Sequence, residues 1–197
     1  TSGTENAAFG NAALYGNTTG DDNVAMGFKS LFSNTTGASN SALGQNALRD
    51  NTTGVRNTAH GRNALLTNTI GNDNVAIGRA SLYSNTSGSS NIAVGKDAMF
   101  NNTSGINNTA VGLKALLTNS TGSNITALGY LALCVNTVSG NTAVGSEAFL
   151  ANTTGDKNVA VGASALKALN STSAAFNTAV GTFAGTAITT GTENTIV

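Results

Sequence analysis

The chain has no proline and no tryptophan, one cysteine, and only 9% charged and 5% aromatic residues. A single cysteine, Cys134, excludes an internal disulfide framework and a cysteine-built zinc site. Nine basic residues balance nine acidic ones, so the charge suggests neither a nucleic-acid nor an anionic-membrane partner. No apolar run approaches the roughly 20 residues that cross a bilayer, so membrane insertion is not expected. No signal-peptide or targeting pattern falls within these residues. At 197 residues the chain could be an ordinary globular domain, but Asn, Thr, Ser, Ala and 24 glycines dominate it. Thr1 begins mid-pattern and Gly191 to Val197 opens a further repeat. We therefore expect a single repeat domain, residues 1–197, that is a segment of a longer or processed protein.

What the chain does have is a phrase, Asn-x-Ala-x-Gly, that recurs every 17 residues. Its closing glycine falls at Gly10, Gly27, Gly44, Gly61, Gly78, Gly95, Gly112 and Gly129, then at Gly145, Gly162 and Gly181 with small slips. A fixed period of this length means a stacked architecture in which each repeat buries its apolar face against its neighbours. The expectation is an all-β β-solenoid, or β-roll, of about eleven 17-residue coils, a rod on the order of 50 Å long at ~4.8 Å per coil.

Counting from the Asn as position 0, positions 0 to 4 read as a short strand. Alternation puts positions 2 and 4 on one face, where the small residues Ala and Gly suit a cramped interior. Ala25, Ala76 and Ala110 at position 2, with Leu31, Leu82 and Leu116 at position 8, are the expected roll core. Positions 1 and 3 share the other face and are also apolar or β-branched. Position 3 includes Met26, Leu43, Ile77, Val94, Val111, Leu128, Val144 and Val161. A strand apolar on both faces is usually covered on both, and a lone solenoid would leave this stripe in water. These eight residues are therefore the expected seam along which several copies of the chain pack around a common axis.

Positions 7 to 9 read as a second short strand or turn-strand. The aromatics at position 9 (Tyr15, Phe32, Tyr83, Phe100) are expected to cover an adjacent chain. Asn-Thr-Thr-Gly at positions 11 to 14 is turn chemistry, and Asn at positions 0 and 11 should stack into amide ladders. The slips are a spacing of 16 near Ile125, which takes an Asn slot, and a spacing of 19 around Asn170 to Phe176. Insertions in solenoids map to loops, so Asn170 and Phe176 bound a candidate surface knob.

The run Asn-Thr-Ala-Val-Gly, then Ala-Leu and Asn-Thr-Thr-Gly, resembles repeats of phage tail-fibre proteins and of large bacterial surface proteins. The related Asn-x-x-Ala-x-Gly signature is similar to the β-roll of trimeric autotransporter adhesin heads. The likeness covers Asn6 to Val197. It implies a parallel homotrimer on a virion tail or cell surface, with attachment to a cell-surface polysaccharide or protein receptor through this or an adjoining domain.

Individual chemistry is sparse. His60, the only histidine, occupies an apolar position-3 slot. In a trimer three imidazoles would meet near the axis and could hold a metal ion or anion; alternatively His60 simply packs beside Leu43 and Ile77. Cys134 reads as a small buried hydrophobe, since His60 lies more than four coils away from it. Asp21, Asp22, Asp73 and Asp156 read as turn residues without the calcium-repeat pattern. Arg49, Asp50 and Arg56 read as solvated loop charges. Eight Asn-Thr/Ser-Thr/Ser sequons, Asn17, Asn34 and Asn85 among them, follow from the repeat itself. No cofactor is expected and no paired carboxylates recur, so an enzyme is disfavoured. The expected function is the shaft or receptor-proximal part of a trimeric fibre. The alternatives are a self-polymerising filament whose coil ends stack, and an ice-binding solenoid using the threonine row at position 12 (Thr18, Thr35, Thr52, Thr69, Thr86, Thr103).

Overall fold

The computed structural model describes residues 2–171 and 175–197. Its strands are β1 (Ala7–Phe9), β2 (Val24–Met26), β3 (Ser41–Leu43), β4 (Thr58–His60), β5 (Val75–Ile77), β6 (Ile92–Val94), β7 (Thr109–Val111), β8 (Thr126–Leu128), β9 (Thr142–Val144), β10 (Val159–Val161), β11 (Thr178–Val180) and β12 (Thr195–Ile196). They form one parallel sheet in strict sequence order, each strand pairing with the next coil's copy. Register is one repeat per step: Ala25 opposes Ala42, Ala76 opposes Ala93, and Leu43 opposes His60. This is a parallel β-solenoid, and no helix occurs among the described residues.

Only positions 1 to 3 are strand, and the alanine at their centre is buried from β2 to β11, while Ala8 of the terminal strand β1 is exposed. The position-2 alanines Ala25, Ala76 and Ala110, and the position-8 residues Leu31, Leu82 and Leu116, are all fully buried. Met99 and Phe149 fill the same slot as leucine in other coils, so side chains of similar size stack along the axis.

The expected second strand is a run of turns instead, because its backbone alternates handedness. In each complete coil, position 6 and position 8 both have positive φ, as at Asp97 (57°) and Met99 (50°), and so does position 16, as at Asn107 (57°). Such residues still satisfy their backbone, since successive N–H groups point to opposite neighbours. Lys29 N donates back to Asn11 O at 3.0 Å, and Leu31 N donates forward to Ala47 O at 3.0 Å. A left-handed conformation costs an L-residue on the order of 1–2 kcal/mol, and more when it is β-branched. Accordingly, among the described residues no Val, Ile or Thr stands at a left-handed position.

The position-4 glycines do not face the interior as expected. They are mostly half-exposed, and their role is the corner that follows the strand. Gly78 has φ +126°, and a Cβ there would lie 2.7 Å from the carbonyl carbon of Gly95 in the next coil.

Two buried amide ladders hold the coils in register, as expected for Asn at positions 0 and 11. At position 0, Asn40 Nδ2 donates to Asn23 Oδ1 (3.1 Å) and Asn57 Nδ2 to Asn40 Oδ1 (3.1 Å). At position 11, Asn51 Nδ2 donates to Asn34 Oδ1 (2.7 Å) and Asn68 Nδ2 to Asn51 Oδ1 (2.8 Å). Most of these Asn side chains also donate to a glycine carbonyl, as Asn40 does to Gly54 O at 2.9 Å. Both ladders break at the short coil. Ile125 stands in an Asn slot, Asn136 Nδ2 turns to Val138 O (2.7 Å), and Asn119 Oδ1 is left buried without a partner.

Candidate functional site

The feature with functional content is the outer face of the sheet. Because position 2 points inward, positions 1 and 3 must point outward along the whole rod. Met26, Leu43, Ile77 and Val111 are exposed there, Met26 at 44%, and Val94, Leu128, Val144 and Val161 are half-buried. Val24 and Ile92 add exposed apolar area at position 1. Eleven inter-strand steps of ~4.8 Å make this a stripe about 50 Å long. All eight residues expected at the seam therefore lie in one row, on the face opposite the core.

His60 lies in that row on β4, between its register partners Leu43 and Ile77. Its Nε2 is 3.2 Å from Ser41 Oγ on the neighbouring strand, a contact whose donor depends on the tautomer. Among the described residues of the single chain, no three His, Cys, Asp or Glu side chains converge on a point that could hold a metal ion.

Other candidates are absorbed by the solenoid. The position-9 rings stack on each other from coil to coil within the chain. Tyr83 and Phe100 lie 4.8 Å apart at 5° between planes, and Tyr15 and Phe32 lie 5.4 Å apart at 7°. The position-12 threonines bond across coils, Thr18 Oγ1 to Thr35 O at 2.8 Å and Thr52 Oγ1 to Thr69 O at 3.0 Å. The sequon asparagines Asn17, Asn34 and Asn85 are buried in the position-11 ladder, where a glycan cannot be attached without opening the coil. Asn170 is tied to both adjoining coils, its N donating to Thr189 O (2.9 Å) and its Oδ1 accepting from Thr153 N (3.0 Å). Phe176 is exposed under Lys157, whose Nζ is 5.2 Å from the ring centroid. Residues 172–174 of the expected knob lie outside the described residues.

Charged groups pair at the surface. Arg49 binds Asp50 at 2.7 Å, and Arg56 binds Asp73 at 2.6 Å across one coil. The hydrogen bond from Arg56 holds the Asp73 carboxyl below its ordinary range. Cys134 is buried, and desolvation pushes its thiol above the usual value, with Lys114 pulling the other way. Since the thiolate is the reactive form, folded protein is expected to react with a disulfide reagent much more slowly than a denatured sample. A thiol assay with and without urea checks this, and equal rates would contradict the burial of Cys134.

Sequence reasoning found the stripe but missed how charge is distributed beside it. The signal was available by sorting charges by repeat position instead of summing them. No cavity is present among the described residues, and no helix among them is long and apolar enough to cross a membrane. In comparisons with protein-family models, curated proteins and solved structures, nothing matches this chain.

Proposed function

We propose that this chain is the shaft, or the receptor-proximal segment, of a homotrimeric extracellular fibre, a phage tail fibre or a surface adhesin, that serves attachment to a host cell. The observation that carries this reading is the continuous apolar stripe of positions 1 and 3. Monomers seldom expose a contiguous apolar patch of more than a few hundred Å², and larger ones mark interaction sites. A stripe about 50 Å long on a solenoid with in-register strands calls for a partner of the same length and period, and further copies of the chain supply both. Three copies meeting along the stripe bury it around one axis. They also bring three His60 side chains together, with Ser41 beside each, as a candidate axial ion site.

A rigid rod of this kind works by holding a binding tip at a distance. The receptor is a cell-surface polysaccharide or protein, engaged here or in an adjoining domain. Light scattering on the purified chain tests the assembly. Three times the 19.5 kDa chain mass is expected, and a 19.5 kDa particle at micromolar concentration would overturn the reading.

A further inference from the structure

The chain is neutral overall, yet its charges are sorted to opposite borders of the apolar stripe. Positions 15 and 16 lead into each strand, and positions 5 and 6 follow it. The leading border holds six acids (Glu5, Asp21, Asp22, Asp73, Asp156, Glu193) and two cations, Arg56 and Lys157. The following border holds five cations (Lys29, Arg62, Arg79, Lys96, Lys114) and two acids, Asp97 and Glu147.

The exceptions are neutralised on the chain itself. Arg56 pairs with Asp73 at 2.6 Å, and Lys157 lies 4.0 Å from Asp156. Glu147 pairs with Lys167 at 2.6 Å, and Asp97 lies 4.0 Å from Lys96. Arg62 and Arg79 are exposed on consecutive coils and form no ion pair among the described residues.

We infer that the partner on the stripe is a second copy of this chain running in the same direction, docked so that the acidic leading border of one copy faces the cationic following border of the next. This rests on the assembly proposed above, and what it adds is the set of charged residues that fix the parallel arrangement. Rotation about an axis parallel to the rods brings every leading border against a following border, which attracts. Antiparallel rods with leading border on leading border would juxtapose acids along the seam, and like charges facing each other oppose association. The charges lie at the rim of the stripe, where they steer and orient, while the apolar centre supplies area. At the levels of β4 and β5, Arg62 and Arg79 follow the strands as cations that form no ion pair among the described residues. At β2, Asp21 and Asp22 lead into the strand and Lys29 follows it, so this coil carries both halves of the contact.

The test compares four proteins by sedimentation at low salt, with circular dichroism to confirm that each is folded. They are the parent, a following-border reversal (Arg62→Glu, Arg79→Glu, Lys114→Glu), a leading-border reversal (Glu5→Lys, Asp21→Lys, Asp22→Lys), and a chain carrying both sets. The expected result is a trimeric parent, a dissociation constant at least tenfold weaker for each single reversal, and recovery in the doubly reversed chain. Glutamine at Arg62 and Arg79 gives a milder variant should a reversal not fold, with weaker assembly and a reduced salt dependence expected. A trimeric parent whose single reversals assemble equally well, or a double reversal that fails to recover, overturns the orientation but leaves the fibre reading standing. A monomeric parent overturns both.

Discussion

Gly78→Ala is expected to destabilise the rod far more than Gly181→Ala, although both glycines close the same repeat phrase and have nearly the same backbone. Their φ values are +126° and +132°, a conformation that L side chains rarely adopt, so both substitutions carry backbone strain of about 1–3 kcal/mol. The surroundings differ. A Cβ on Gly78 meets both the carbonyl carbon and oxygen of Gly95 at 2.7 Å, atoms belonging to the next coil's backbone. Relief there requires the coils to separate and their pairing to loosen. A Cβ on Gly181 meets only the Ala184 Cβ, at 3.8 Å, an ordinary van der Waals contact. The steric part should add at least about 3 kcal/mol at Gly78, in the range where single substitutions have a specific structural cause. In a stacked repeat array each coil touches only its neighbours, so a fault in mid-rod also uncouples the blocks on either side. Thermal and denaturant unfolding of both variants measures the difference. Equal losses would mean that the glycine answers only to its φ and that the close approach between coils is not what restricts the position.

That comparison shows where sequence reasoning reached and where it stopped. Ala at position 2 and Leu at position 8 were legible as core because strict recurrence of one residue size is what axial stacking demands. The amide ladders were legible for the same reason, since only an Asn repeated at coil spacing can pass hydrogen bonds from coil to coil. The glycine at position 4 was assigned to the interior because alternation was carried one residue too far. The strand ends at position 3, and position 4 is a corner. The segment around Leu31 and Leu82 was open to a strand reading, yet it is a turn run held by left-handed residues at positions 6 and 8.

The sequence does carry that information, in what these positions avoid. Threonine and valine are common elsewhere in the chain, but among the described residues the left-handed set (Lys29, Leu31, Ser39 and their equivalents) contains no β-branched residue. The polar borders of the stripe were hidden for a different reason. A net charge of zero bears on nucleic-acid and membrane partners but hides the sorting of charge by repeat position, as with Asp73 and Arg79 on either side of one strand. The stacking of Tyr83 on Phe100 was not read from the sequence, although a ring repeated on adjacent coils meets its own copy, a contact that contributes about 0.5–1.5 kcal/mol beyond its area.

Asn74→Asp is expected to cost about 3–5 kcal/mol at neutral pH, because it puts an unpaired charge inside a ladder built for amides. Asn74 is fully buried. Its Oδ1 accepts from Asn91 N (3.1 Å) and Asn91 Nδ2 (3.2 Å), a role that one aspartate oxygen can keep. Its Nδ2 donates to Asn57 Oδ1 (3.1 Å) and Gly88 O (2.9 Å), and there the second aspartate oxygen would face two acceptors with nothing to offer. Burial and these acceptors both disfavour the anion, so the introduced carboxyl must have a folded pKa above its unfolded value of about 3.9. The folded state then binds more protons than the unfolded state between the two values, and stability must fall as pH rises through that window. Conversely, acidification from neutral toward about pH 4 should recover part of the loss, since the protonated acid regains one of the two donors. Asn74→Ala removes the same bonds without a charge. It should destabilise by about 2–4 kcal/mol through orphaned partners, with no pH dependence beyond that of the parent. Denaturant titrations of the parent and both variants at neutral and acidic pH distinguish the cases. A loss under about 1 kcal/mol for either variant, or the same pH profile for both, would show that the ladder is incidental to stability and that side-chain stacking at positions 2 and 8 holds the coils together without it.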